Sequence, residues 1–169
     1  MMKKLLVING TMGVGKTDLA RELFHKLEKC AWLDGDWCWM TRPFQLKEEE
    51  KAPLLKMMST LLRHYLDSSH IEIVIFSWVI PRNEILQEIL NQVGSDYELL
   101  RVTLIANEQT LRDRIAKRRN YEARDEFESD RSLQYAATQF QNMQPYSVET
   151  SGRTTVELSL SIIEKFSLL

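Results

Sequence analysis

A glycine-rich segment near the start of the chain constrains the fold more than any other feature. Residues 10–17 read Gly-Thr-Met-Gly-Val-Gly-Lys-Thr, which fits the spacing G-x-x-x-x-G-K-[ST]. Glycines allow the main chain to curl until successive N–H groups point at one anion. An apolar run at residues 5–8 precedes the segment, and an amphipathic stretch follows it. The sequence therefore predicts a strand, a phosphate-binding loop and a helix in succession.

Side chains in this loop complete the predicted phosphate site. Lys16 supplies a full positive charge for the β- and γ-phosphates of a nucleoside triphosphate, and Thr17 supplies a hydroxyl for Mg²⁺. The helix that begins near Lys16 directs its positive end to the same place. We predict that the nucleotide contacts Gly10, Met12, Gly13, Val14, Gly15, Lys16, Thr17 and Asp18.

The remainder of the chain alternates short apolar runs with amphipathic stretches, which is typical of βαβ units around a parallel sheet. The predicted strands are residues 5–8, 31–33, 71–76, 99–105 and 146–150. The predicted helices are residues 16–28, 48–67, 85–93, 107–119 and 129–142, and a last helix that opens at Thr154 with a capping box from Glu157. Residues 120–128 have no clear period and are predicted to form a loop. We expect five parallel strands, helices on both faces and a single domain over residues 1–169.

Two acids follow the second predicted strand. Asp34 and Asp36 stand in the stretch Leu-Asp-Gly-Asp-Trp, and strand alternation predicts that both carboxylates lie on one side. Ligands of open α/β sheets bind at the carboxyl ends of the strands. Two acids at that edge suit two tasks, which are to hold Mg²⁺ through water and to accept a proton from an attacking hydroxyl. The alternative is a simple Asp-Gly turn in which Asp36 is solvated.

A basic cluster follows the fourth predicted strand. Arginine side chains stabilise the charge that spreads over a phosphoryl group during transfer, and a loop that carries them can close over a nucleotide. Two alternatives remain open, which are a solvated helix face balanced by Asp113 and Glu122, or a patch that binds nucleic acid. The cluster consists of Arg112, Arg114, Lys117, Arg118, Arg119, Arg124 and Arg131.

Overall charge and composition narrow the function classes. The net charge of −2 gives no general reason to expect nucleic acid or an anionic membrane as a partner. The longest apolar run, residues 71–80, is too short to cross a bilayer. Cys30 and Cys38 form no CxxC pair, so we predict free thiols in a reducing compartment and a cytoplasmic location. No Asn-Lys-x-Asp tetrapeptide occurs, which argues against a GTPase.

The order of these motifs resembles that of the P-loop small-molecule and nucleotide kinases, such as adenylate kinase, shikimate kinase, gluconate kinase and chloramphenicol phosphotransferase. The resemblance extends over nearly the whole chain, and its stringent motif is the loop at residues 10–17. It implies a three-layer α/β P-loop NTPase fold with sheet order 2-3-1-4-5 and an arginine-rich lid at about residues 112–131. It also implies ATP and Mg²⁺ as cofactors and transfer of the γ-phosphate to a small hydroxyl- or phosphate-bearing acceptor. We expect no nucleic acid or membrane as a partner, and a monomer or a homodimer.

The same resemblance assigns roles to individual residues. Asp34 resembles the metal-side acid and Asp36 the substrate-side acid of the D-x-D motif, and Arg114 and Arg118 resemble arginines of the lid helix. Residues 150–153, with Gly152 and Arg153, resemble the turn that passes the edge of adenine. The predicted metal ligands are Thr17 and Asp34, and the predicted catalytic residues are Lys16, Asp36 and Arg118.

Two departures from the family pattern leave other functions open. No acid ends the third strand, where the chain reads Phe76-Ser77-Trp78, so Asp34 is left to hold the metal without a second carboxylate. No acceptor signature stands out among the residues that follow the acid motif and the third strand, which include Trp37, Trp39, Arg42 and Arg82. The tryptophans suit either stacking on a planar acceptor or packing in the core. The competing hypotheses are a nucleotide-binding switch that transfers nothing and a kinase that acts on nucleic-acid ends.

Overall fold

The structure is a computed structural model, and it describes residues 2–94, 96–119 and 146–169. The strands within these residues are β1 (Lys3–Gly10), β2 (Cys30–Asp34), β3 (Ile73–Ser77), β4 (Tyr97–Ile105) and β5 (Ser147–Glu149). All paired neighbours run parallel, and the sheet has the order β2-β3-β1-β4-β5. This order confirms the sheet predicted from the sequence.

Helices follow the strands in the described part of the chain. They are α1 (Lys16–Lys26), a 3-10 helix (Gly35–Trp39), α2 (Glu48–Asp67), α3 (Asn83–Leu90), α4 (Glu108–Arg119) and α5 (Thr155–Phe166). The predicted loop at 120–128 and the predicted helix at 129–142 lie outside the described residues. The predicted lid at 112–131 is described only up to Arg119, so the lid stays a prediction.

The core lies on both faces of the sheet. Successive side chains of a strand point to opposite faces, so Leu6 and Ile8 of β1 pack on one side and Leu5 and Val7 on the other. The first side is covered by α1 and α5, through side chains that include Leu19, Leu23, Leu158 and Ile162. The second side is covered by α2 and α3, through side chains that include Leu54, Met58, Leu62 and Ile89. This arrangement explains why β3 is buried along its whole length.

The carboxyl ends of three neighbouring strands meet at one edge of the sheet. β1 ends at Gly10, β2 at Asp34 and β3 at Ser77, and the register places Ser77 opposite Asp34. The Asn9 side chain fixes the segment after β3 against β1, because its amide exchanges hydrogen bonds of 2.9 and 2.8 Å with the main chain of Ile80. The acids and the phosphate-binding loop are therefore neighbours in space.

Candidate nucleotide-binding site

The glycine-rich loop follows β1 in a conformation that leaves no room for side chains at two positions. Gly10 has a φ of 143°, and a Cβ atom there would lie 2.6 Å from the carbonyl oxygen of Leu104. Gly13 has a φ of 77°, and its Cβ would lie 2.9 Å from Cγ1 of Ile115. Both glycines are therefore required by close packing and by left-handed backbone geometry.

The loop ends where α1 begins, with Gly15 as N-cap and Lys16 as the first helical residue. Gly15 has no side chain, so no side chain of the N-cap residue covers the positive end of the helix. Lys16 Nζ donates a 2.8 Å hydrogen bond to the carbonyl oxygen of Thr11, which places the ammonium group across the loop. The geometry brings main-chain donors, a helix terminus and a cation to one place, as an anion site requires.

Thr17 and Asp34, the two predicted metal ligands, contact each other. Thr17 Oγ1 donates a 3.0 Å hydrogen bond to Oδ2 of Asp34, whose residue surface is only 4% exposed. Oδ1 of the same carboxylate accepts a 3.1 Å hydrogen bond from the main-chain N–H of Asp36. A hydroxyl and a carboxylate are oxygen donors of the kind that Mg²⁺ prefers, so the pair fits the predicted ion.

Ser77 joins this pair, although no sequence motif selects it and its position is notable only for the absence of an acid. Its hydroxyl donates a 3.2 Å hydrogen bond to Asp34 Oδ2, and its oxygen accepts a 3.0 Å hydrogen bond from the indole Nε1 of Trp32. Ser77 could have been identified from the strand register, because β3 continues to Ser77 and pairs this residue with Asp34.

Asp36 lies in different surroundings from Asp34. Strand alternation does not apply to this pair, because the chain leaves the extended conformation at Gly35 and enters the 3-10 helix. A Cβ atom on Gly35 would lie 2.4 Å from Cγ of Trp78, so the turn packs tightly on that indole. Asp36 is exposed, and its carboxylate is open to a ligand from solvent.

Asp34 and Asp36 create a negative electrostatic potential at the end of β2. Burial raises the pKa of the Cys38 thiol, and the negative charges of Asp34 and Asp36 raise that pKa further. Cys38 belongs to the same 3-10 helix as Asp36, so its pKa reports the negative electrostatic potential near the two acids. Both cysteines are free, in agreement with the prediction, and burial raises the pKa of Cys30 to about 12.

Arg114 is the predicted lid arginine that the structure connects to the loop. Its guanidinium donates to the carbonyl oxygen of Val14 at 2.9 Å, and to Oγ1 and the carbonyl oxygen of Thr150 at 3.0 and 3.1 Å. Arg112 is instead paired with Glu108, at 2.6 Å on the exposed face of α4. The side chain of Arg118 lies outside the described residues, and so do Arg124 and Arg131.

The turn after β5 is held beside the loop by the same contacts. Thr150 is fully buried, and its hydroxyl also donates to the carbonyl oxygen of Val14 at 3.3 Å. Gly152 follows with a φ of 71°, and Arg153 is exposed. The guanidinium of Arg153 donates to Ser161 Oγ at 3.2 Å on α5, so it lies on the helix rather than over the loop.

Other predicted residues are less closely tied to the loop. Asp18 is exposed and pairs with Arg21 at 3.1 Å, while Met12 is half-buried.

The tryptophans and arginines that follow the acid motif differ in exposure. Trp37 is 51% exposed, and its ring centroid lies 4.7 Å from that of Trp32. Trp39 is half-buried and donates to the carbonyl oxygen of Gln45 at 2.6 Å, while Arg42 and Arg82 are exposed. Trp37 is thus the most exposed of the four tryptophans, and it follows Asp36 directly in the chain.

Two features are absent from the described residues. Residues 2–94, 96–119 and 146–169 contain no group of three or more His, Cys, Asp or Glu side chains that could hold a metal ion. In the same ranges, every helix is too short or too polar to cross a membrane.

Comparison with known families and structures places this site in context. A family model described as an AAA domain matches residues 6–135. No curated protein matches the sequence.

Solved structures share the whole fold. A gluconokinase from Sinorhizobium meliloti 1021 superposes with a TM-score of 0.72 at 14% identity, over 98% of this chain and 93% of that one. The tunicamycin resistance protein of Deinococcus radiodurans gives 0.69 at 19% identity, over 99% and 97%. A shikimate kinase from Acinetobacter baumannii gives 0.66 at 18% identity, over 98% and 93%. These likenesses confirm the predicted P-loop kinase fold.

Proposed function

The chain belongs to the AAA domain family. We propose that it transfers the γ-phosphate of ATP to a small acceptor that bears a hydroxyl or phosphate group. The observation that carries the proposal is the 3.0 Å contact between Thr17 and Asp34 at the glycine-rich loop, with exposed Asp36 two residues along the chain. The folds of a gluconokinase and a shikimate kinase, both enzymes named for small-molecule acceptors, support the same reading.

In this proposal the loop holds the phosphates of ATP. Main-chain N–H groups of residues 10–17 and the positive end of α1 bind the phosphate oxygens, and Lys16 adds a full charge. Arg114 fixes the loop to the turn at Thr150, and Arg118 follows it by one helical turn as the predicted γ-phosphate contact. The turn with Gly152 and Arg153 would pass the edge of adenine in this proposal, as the resemblance to the kinases implies.

Thr17 and Asp34 would hold the magnesium ion, Thr17 through its hydroxyl and Asp34 through its carboxylate or a water. A magnesium ion held by one or two protein groups takes its other ligands from substrate phosphates and water. When bound, it supplies charge neutralisation of the phosphate oxygens.

The two acids have separate tasks because their surroundings differ. Both oxygens of Asp34 accept hydrogen bonds from Thr17, Ser77 and the Asp36 main chain, so this carboxylate is buried and held in one orientation beside the loop. Asp36 is exposed and can approach an acceptor that arrives from solvent. We therefore assign the role of general base, or of acceptor orientation, to Asp36.

The transfer itself balances as an in-line displacement. The acceptor oxygen forms a bond to the γ-phosphorus, and the bond from that phosphorus to the β–γ bridging oxygen breaks. ADP leaves with the electron pair of the broken bond. The proton of a hydroxyl acceptor passes to the Asp36 carboxylate and then to water, whereas an ionised phosphate acceptor has no proton to give.

The test is ADP release from Mg-ATP in the presence of pooled acceptors. The pools contain nucleosides, nucleotides, sugars, sugar acids, and aminoglycoside- or phenicol-type antibiotics. We expect one pool to stimulate ADP release, and both Lys16→Ala and Asp36→Asn to abolish the stimulation.

Matched controls separate the site from general damage. Lys26→Ala removes a lysine from the opposite end of α1, where it pairs with Glu22 at 3.2 Å. Asp67→Asn changes an exposed acid at the end of α2. Both controls should retain stimulation. ATP binding without stimulation by any pool, even with a wider panel, would contradict transfer and favour a nucleotide-binding module.

A further inference from the structure

We propose that Ser77 is a positioning residue for the Asp34 carboxylate, and that the Trp32 indole sets the direction in which the Ser77 hydroxyl donates. This inference rests on the magnesium–nucleotide site proposed above. It assigns a function to Ser77, which ends β3 where the family pattern has an acid, and to Trp32 of the neighbouring strand β2.

The geometry places Ser77 behind the metal-side acid. Ser77 ends β3, has no exposed surface and stands opposite Asp34 in the strand register. Its hydroxyl and that of Thr17 donate to the same oxygen, Asp34 Oδ2, at 3.2 and 3.0 Å. The other oxygen receives the main-chain N–H of Asp36 at 3.1 Å. Donors from β3, α1 and the 3-10 helix thus fix the plane of one carboxylate.

The direction of the Ser77 hydrogen bond follows from the chemistry of its neighbour. A hydroxyl has one hydrogen to donate, whereas an indole N–H can only donate. Trp32 Nε1 lies 3.0 Å from Ser77 Oγ, so the serine oxygen accepts from Trp32 and keeps its own hydrogen for Asp34. The result is a directed chain from Trp32 through Ser77 to Asp34. Buried chains of this kind strengthen each bond because the surroundings have a low dielectric constant.

The Trp32 ring is itself held in place by aromatic neighbours. Its centroid lies 4.7 Å from the Trp37 ring and 6.3 Å from the Phe24 ring of α1. A fixed indole gives the Ser77 oxygen a fixed donor. Groups that orient a metal ligand from behind typically change metal affinity by about tenfold or more when they are removed.

The test measures ATP binding by isothermal titration calorimetry, with Mg²⁺ and with EDTA. In Ser77→Ala we expect the Kd for Mg-ATP to rise by about tenfold while the Kd for ATP in EDTA stays at the wild-type value. Trp32→Phe keeps an aromatic ring and removes the N–H, so it should give a smaller rise of the same kind. The double variant should be no weaker than Ser77→Ala, because Trp32 acts through Ser77.

Ser159→Ala is the matched control. Ser159 is also fully buried, but its hydroxyl donates to the carbonyl oxygen of Val156 within α5 at 2.8 Å. We expect both Kd values of this variant to equal those of the wild type, even though a buried hydroxyl has been removed.

Three results would overturn the inference while the magnesium site stands. They are an unchanged Mg-ATP affinity in Ser77→Ala, an equal loss with Mg²⁺ and with EDTA, and a double variant in which the two losses add. If Ser77→Ala does not fold, Trp32→Phe decides, because a loss confined to Mg-ATP supports the chain and no loss overturns it. If the wild type binds ATP equally well in EDTA, the magnesium site is wrong and the inference falls with it.

Discussion

The end of β2 and the 3-10 helix that follows it place two acids, Asp34 and Asp36, in contrasting surroundings. Only Gly35 separates them in the chain. Asp34 is buried and engaged by three donors, whereas Asp36 is exposed and reaches solvent. The difference arises at Gly35, where the chain stops being a strand and turns against Trp78. Residue type alone therefore does not set the role of an acid at a strand end, because the local backbone decides which carboxylate is fixed and which is free.

The largest expected effect is on Asp36. In Asp36→Asn, acceptor-stimulated turnover should fall by about 100-fold or more, because a general base is lost. The Kd for Mg-ATP and the melting temperature should stay at wild-type values, since the side chain is exposed. Steady-state ADP release, calorimetry and thermal unfolding measure the three quantities. A variant with intact turnover would remove Asp36 from the chemistry.

Asp34 should behave in the opposite way. Asp34→Ala leaves the hydroxyls of Thr17 and Ser77 without their acceptor, so the free energy of unfolding should fall by about 2–3 kcal/mol. Chemical denaturation with urea measures this loss. Asp67→Asn, at the exposed end of α2, provides the reference and should unfold like the wild type. Equal stability of Asp34→Ala and the wild type would show that the buried contacts do not hold this acid.

A change at Gly35 should disturb the turn that separates the two acids. In Gly35→Ala the new methyl group meets the Trp78 ring at 2.4 Å, and overpacking of this kind costs about 1–2 kcal/mol in unfolding free energy. Replacing the indole in Gly35→Ala/Trp78→Ala should make room for the methyl group. The loss of unfolding free energy in the double variant should then be smaller than the sum of the losses in Gly35→Ala and Trp78→Ala. Strict additivity in urea denaturation would contradict this packing account.

The smallest effect concerns a third acid, which is fully exposed. Glu157 accepts hydrogen bonds from the main chain and hydroxyl of Thr154, and these lower its pKa from 4.5. A lowered folded-state pKa contributes stability above the unfolded value, and the contribution is lost as pH falls through the folded value. Thermal unfolding below pH 4.5 should therefore show a slightly steeper loss in the wild type than in Glu157→Gln. Identical pH profiles would show that the ionisation of Glu157 contributes nothing measurable to stability.

Local signals predicted the elements well. The bounds of α2 were predicted as residues 48–67 and are Glu48–Asp67, with acids in the first turn and an apolar stripe that extends to Leu66. One helix cap was also predicted correctly, since Thr154 and Glu157 form the expected capping box. β1 is longer than residues 5–8 at both ends, because every residue from Lys3 to Gly10 pairs with β4.

Contacts between segments that are distant in the sequence could not be predicted from local sequence patterns. The chain from Trp32 through Ser77 to Asp34 depends on the register of two strands, which no local pattern specifies. The target of Arg114 is likewise a pair of segments far away in sequence, at Val14 and Thr150. Sequence motifs thus located the phosphate loop and the acids, while the partners that orient them follow from sheet pairing.

The division of labour between the two acids is tested most directly by ATP titrations of Asp34→Asn and Asp36→Asn, each with Mg²⁺ and with EDTA. These titrations need no knowledge of the acceptor. We expect the wild type and Asp36→Asn to bind ATP more tightly with Mg²⁺ than with EDTA, and Asp34→Asn to lose this gain while its affinity in EDTA is unchanged. Loss of the gain in Asp36→Asn, or its survival in Asp34→Asn, would show that the two acids do not divide these roles.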